Sequence, residues 1–158
     1  ELSNRLELRA STPRRCLAAV RELSQKGVPT GVMIALIIPG LTDSEIEAII
    51  GVAAANAVSE CSYILLRLPN EVKALFTEWL HCHRPLAARR VLNLVRAFHG
   101  ARLYNSAFGQ RQKGDGPDAK MILDRFSRAA KEYSINVDPK VLDCTRFCPP
   151  QSQGELFG

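Results

Sequence analysis

The chain has 158 residues, 46% of them hydrophobic and 6% aromatic, which is enough apolar material for one domain with a real core and excludes a compositionally disordered chain. Its longest apolar run, Val32 to Ile38, is far shorter than the roughly 20 residues that a membrane helix needs, so a soluble protein with no membrane partner is expected. A net charge of +5 is compatible with a polyanionic partner, but the basic residues read as scattered over several segments, as on a solvated mixed surface.

Five cysteines, an odd number and widely spaced apart from Cys144 and Cys148, argue against a secreted disulfide framework and for a reducing, cytoplasmic setting. The opening stretch, Glu1 to Ala10, has neither an initiating Met nor a signal-peptide core, and reads as a cut inside a longer chain.

In chain order, Thr12, Pro13 and Gly27 supply cap, first-turn proline and terminator around apolar positions Cys16, Leu17, Val20 and Leu23, which predicts an amphipathic helix over 12–27. Gly31 to Ile38 is a continuous apolar run ended by Pro39 and Gly40, as expected of a strand covered on both faces. Thr42 and Glu45 form a capping-box pair, and Ile46, Ile49, Ile50, Ala53 and Ala57 continue at helical spacing to about residue 58. Ser62 to Leu68 reads as the next strand, so the unit is βαβ and the two strands are expected to be parallel.

Beyond Pro69 the pattern is helical, over Asn70 to about Cys82 and Pro85 to Phe98, and these helices are expected to cover the sheet. Gly100 to Pro117 is a loop, Pro117 to Tyr133 a last helix, and the tail after Val137 is irregular. Two strands alone make a poor parallel sheet, so further strands are expected from upstream chain or from a partner.

In βα-type folds ligands sit beyond the carboxyl ends of the strands, which singles out Pro39 to Asp43 and Arg67 to Asn70. Gly40 would let a ligand approach the backbone, and Asp43 could accept hydrogen bonds from hydroxyls, although an acid also suits the first turn of a helix. Arg67 ends an apolar strand and must find a carboxylate, a phosphate or water; Arg9, just before the first helix, could clamp a carboxylate or simply be solvated. His81, Cys82 and His83 cannot converge on one ion from a helix, and Cys144 with Cys148 supplies at most two thiolates, so no metal site is assigned.

Arg9-Ala10-Ser11-Thr12-Pro13, Gly31-Val32-Met33-Ile34, Ile38-Pro39-Gly40-Leu41-Thr42-Asp43, Leu65-Leu66-Arg67-Leu68-Pro69 and Phe108-Gly109 resemble, in that order, the C-terminal half of radical S-adenosylmethionine (SAM) proteins of the spore photoproduct lyase-like group, described as DNA repair photolyase-like. The resemblance implies an α/β fold: the C-terminal portion of a partial (β/α) TIM-like barrel over 1–69, a helical extension over 70–137 and an irregular tail over 138–158. It implies that SAM lies across the carboxyl ends of the strands, chelates the unique iron of a 4Fe–4S cluster and yields on reduction a 5′-deoxyadenosyl radical. By the same resemblance Ile38, Pro39, Gly40 and Asp43 would contact adenosine, the Leu66 to Pro69 segment with Arg67 and Leu68 would pack on adenine, and Arg9, Ser11 and Thr12 would approach the methionine end or ribose.

The family's cluster cysteines belong to its first strands, so the resemblance assigns them, with the catalytic residues, to a missing N-terminal half. The expected function is that of part of a radical SAM lyase, with a nucleic acid as candidate substrate. The alternative is a non-catalytic interaction module whose sheet edge pairs with a protein and whose basic 100–113 loop, with Arg102, Arg111 and Lys113, contacts nucleic acid.

Overall fold

The computed structural model describes Leu6, residues 9–104 and 112–137, Thr145 and Cys148. Thr12 holds an extended backbone, its hydroxyl accepts the Arg15 amide at 3.4 Å, and Pro13 begins helix α1, Pro13–Gln25. No residue of α1 is buried; it meets the body through Val20 and through Arg21, whose Nε donates to Asn56 Oδ1 at 3.0 Å.

Strand β1, Gly31–Ile37, is followed by a 3-10 turn at Asp43–Glu45, helix α2 at Ile46–Ala55 and strand β2 at Glu60–Leu65. The strands pair in parallel from Gly31 opposite Glu60 to Ile37 opposite Leu65, with Leu36 as an extra residue that shifts the register. Helices α3 (Val72–His83), α4 (Pro85–Phe98) and α5 (Gly116–Glu132) complete the order. The chain is thus α/β with a two-stranded parallel sheet among the described residues. The tail expected to be irregular lies outside them, apart from Thr145 and Cys148.

The apolar residues divide into two cores. Ile34, Ile37, Tyr63 and Leu65 project from one face of the sheet onto Ile46 and Ile50 of α2 and onto Ile122 and Phe126 of α5, with the Tyr63 and Phe126 rings 4.8 Å apart. The residues just past the strands, Ile38, Leu66 and Leu68, instead enter a second core with Phe76 and Leu80 of α3 and with Ala88, Val91, Leu92 and Val95 of α4.

This division overturns the expectation that β1 is covered on both faces and that α3 and α4 cover the sheet. Met33 is 59% and Leu36 44% exposed, and Ala35 and Ser62 are exposed with them. The reason is that α2 and α5 both lie on one face, while α3 and α4 pack beyond the strand ends. The expected capping box is also not formed: the Thr42 hydroxyl accepts the Ile38 amide at 2.8 Å, closing the preceding turn, and makes no cap bond to the helix.

Outside the ladder, the outer edge of β2 is bonded near both of its ends. The Asn136 side-chain amide donates Nδ2 to the Cys61 carbonyl and accepts the Cys61 amide at Oδ1, each at 2.8 Å, and the Leu65 amide donates to the Gln112 carbonyl at 2.9 Å. On the far edge of β1 no such bond exists among the described residues.

One charged clamp ties α5 to α2. Arg125 donates Nε and Nη2 to the two Glu47 oxygens, each at 2.7 Å, and Nη2 also reaches the Asp43 carbonyl at 2.8 Å. That forked bond from Arg125 holds the Glu47 carboxyl below its usual range, so the stabilisation is complete above that range and is lost as pH falls through the lowered folded value. Thermal melts should therefore show wild type losing more stability on acidification than Glu47→Gln, with a near-neutral difference of roughly 1 kcal/mol after solvent screening; parallel pH profiles would remove the clamp from the account of stability.

Candidate functional site

Beyond their carboxyl ends the two strands stay side by side because the Leu66 amide donates to the Ile37 carbonyl at 2.9 Å. The first post-strand segment is closed on itself. The Leu41 and Thr42 amides both donate to the Ile38 carbonyl at 3.0 Å, and the Gly40 amide donates to Asp43 Oδ1 at 2.7 Å. The other Asp43 oxygen lies 3.7 Å from Arg125 Nη1. Asp43 is therefore occupied as a turn closer and as part of the α2–α5 clamp.

Gly40 has φ +77°, a conformation that L side chains seldom adopt, and a Cβ built there would lie 3.1 Å from Leu94 Cδ1 and 4.0 Å from Arg90 Nε. The space beside it is filled by α4, so the glycine serves close packing of the turn on that helix. Ile38 and Pro39 are buried, and Leu66 and Leu68 are buried in the second core, Leu68 completely. Those side chains offer no open apolar shelf; a ligand at this end would meet the backbone of the segments.

Arg67 is different. It is half-buried, its Nε has no access to solvent and no hydrogen-bond partner, and no carboxylate pairs with it among the described residues. No hydrogen bond engages the Arg67 and Leu68 amides there either. A buried guanidinium nitrogen without a partner is costly, which makes this the position in the segment best suited to receive an anionic group.

Its backbone is fixed by a residue that sequence reasoning passed over. His99, 2% exposed at the end of α4, lies with Nε2 3.0 Å from the Leu66 carbonyl. A carbonyl oxygen only accepts, so Nε2 carries the hydrogen, and Nδ1 is left without a partner. Arg125 and Glu47 were equally hidden, being 78 positions apart. For His99 the adjacent helix terminator Gly100 was the one available signal.

The structure brings Ile38 and Leu68 together in the second core and Gly40 against Asp43 within the turn, and the Leu66–Ile37 bond holds side by side the strand ends that lead to Arg67 and Pro39. It forms no bond from these to Arg9, Ser11 or Thr12: Arg9 is exposed, the Ser11 carbonyl accepts the Cys16 thiol at 3.9 Å, and Thr12 caps α1. Glu7, Phe108, Gly109, Arg111 and Cys144 lie outside the described residues. His81, Cys82 and His83 are exposed in the last turn of α3, with the His83 ring 5.2 Å from Trp79. Among the described residues no group of three or more His, Cys, Asp or Glu is placed to hold a metal ion. Burial pushes the Cys61 thiol up, away from the reactive thiolate. A cavity of about 390 Å³ opens at the opposite, amino end of the strands, between Met33, Glu60, Ser62 and Asn136.

No protein-family model, no curated protein and no solved structure matches the chain. Among the described residues, no helix is long and apolar enough to cross a membrane.

Two substitutions separate packing from ligand contact. Gly40→Ala should cost about 1–2 kcal/mol through its positive φ and the Leu94 contact. His99→Leu should cost about 1–3 kcal/mol by orphaning the Leu66 carbonyl. Denaturant melts check both, and wild-type stability in either variant would show that the turn or the imidazole is dispensable.

Proposed function

We propose that this chain is the SAM-binding, C-terminal portion of a radical SAM enzyme of the spore photoproduct lyase-like group, with a (β/α) TIM-like partial barrel completed by strands supplied from outside the chain. The observation that carries the reading is Arg67, a half-buried cation with an unpartnered Nε, set beside the Ile38–Asp43 turn at the carboxyl ends of two parallel strands. The open edge of β1 and the uncovered face bearing Met33 and Leu36 support the part of the reading that calls for more strands.

The residues fit SAM in one respect and depart from it in another. Arg67 suits a carboxylate, whereas Ile38, Leu66 and Leu68 are turned into the second core, so adenine would be held by backbone groups of the two segments. No described residues fit a 4Fe–4S cluster, and none of its chemistry is assigned to them; its ligands belong to the supplied N-terminal half. Bound SAM supplies the radical chemistry; this chain's own part is to bind and orient SAM at Arg67, in a cytoplasmic enzyme for which a nucleic acid is the candidate substrate class.

The test is SAM binding by the reconstituted complete polypeptide, followed by isothermal titration. Arg67→Ala should weaken SAM about tenfold or more, the size expected for loss of a charge-assisted bond, with thermal stability preserved; Arg67→Lys should recover part of the affinity. Equal SAM affinity in wild type and Arg67→Ala would sink the assignment of this site.

The open β1 edge also supports a second reading, a non-catalytic module that accepts a partner's strand. Titration of the wild-type complete polypeptide separates the two, since such a module binds no SAM.

A further inference from the structure

The charge of this chain is distributed unevenly. From Trp79 to Gly114 there are seven Lys and Arg and no Asp or Glu, whereas the remainder holds 14 basic against 16 acidic residues, so the net positive charge resides in this one stretch. Its described residues are the end of α3, all of α4, and 99–104 and 112–114.

Helix α4 carries three of the seven, Arg89, Arg90 and Arg96, all exposed. Ala88, Val91, Leu92, Val95 and Phe98 are buried, and the opposite side carries Leu86, Arg89, Arg90, Asn93, Leu94 and Ala97, which line an open groove of about 600 Å³. Among the described residues no carboxylate pairs with Arg89, Arg90 or Arg96; the last donates to Asn93 Oδ1 at 3.2 Å. The groove runs next to the candidate site, since Arg90 Nε lies 4.0 Å from the point where a Gly40 side chain would begin.

We infer that the outer face of α4 is a docking surface for the phosphodiester backbone of a nucleic acid. Forked guanidinium groups with no acid to neutralise them match phosphate oxygens, and Asn93 adds a neutral donor. A lipid surface fits less well. A helix that lies in a bilayer interface presents its apolar side outward, whereas α4 has spent its apolar side on the two cores and offers only Leu86 as a large, fully exposed aliphatic group. The surface goes beyond the SAM reading by placing the polyanion outside the SAM pocket, and it acts without SAM.

The experiment measures binding of a fluorescently labelled DNA duplex to the chain by anisotropy over a salt series, without SAM. Arg89→Glu/Arg90→Glu should bind at least tenfold more weakly at low salt and lower the slope of log K against log salt by about 2. Arg14→Glu/Arg15→Glu makes the same change in net charge at exposed positions of α1 and should stay within about twofold of wild type. All four positions are exposed, and matching thermal melts verify that each variant is folded.

Equal loss in the two double variants would reduce the effect to net charge and overturn the surface. So would absence of DNA binding by wild type, or wild-type binding to phosphatidylserine vesicles but not to DNA. Loss of SAM affinity in Arg67→Ala with wild-type DNA binding fails the docking surface in no respect, and absence of DNA binding by wild type with SAM affinity intact fails the surface alone, so the two readings give different results.

Discussion

Every backbone amide and carbonyl on the outer edge of a sheet must find a partner or face water, and the organisation of this chain follows from how that demand is met on a sheet of two strands. On β2 the demand is met from within. Asn136 presents its side-chain amide as if it were one residue of a neighbouring strand, Gln112 offers a carbonyl to Leu65, and His99 donates to Leu66 as the chain leaves the sheet. These contacts come from Gln112, Asn136 and His99, which follow β2 in the chain. Among the described residues β1 receives no equivalent on its far edge, and the face that bears Met33 and Leu36 is exposed.

The strand ends carry the site proposed above for SAM. Past the sheet, the apolar side chains Ile38, Leu66 and Leu68 turn away into the second core, and this positions backbone and Arg67 at the strand ends. The Ile38–Asp43 turn spends its polar groups on itself, with Thr42 and Asp43 satisfying the amides of Ile38 and Gly40. Arg67 keeps a donor unspent. The contrast is with Arg125, whose guanidinium is paired with Glu47.

Much of the fold was legible in the sequence. The Thr12-Pro13 start of α1, the β1–α2–β2 unit and the Pro85–Phe98 helix follow from caps, breakers and apolar periodicity, which are local signals. What failed was mostly non-local. The continuous apolar run of β1 predicted cover on both faces, yet a run of that kind says only that the segment is apolar, and the second face is bare because α2 and α5 choose the same side. The capping box failed because Thr42 had a better partner in Ile38, four residues back. At the site, Arg67 could be singled out as a charge after an apolar strand, but the burial of Leu66 and Leu68 depended on α3 and α4, and the Asp43–Arg125–Glu47 clamp on a residue about 80 positions away.

The arginines of α4 show a further kind of signal, the absence of a residue type. Counted as runs, the basic residues look dispersed; counted against acids, they gather in one stretch, and the fold sets two of them, Arg89 and Arg90, on the outer face of α4. Leu94 belongs to both stories. Its side chain fills the space beside Gly40 and thereby fixes the turn at the carboxyl end of β1, while its helix carries Arg89 and Arg90 outward from the same contact. A polyanion on α4 and a small ligand at Arg67 would thus bear on one packed unit, the Gly40 turn against α4.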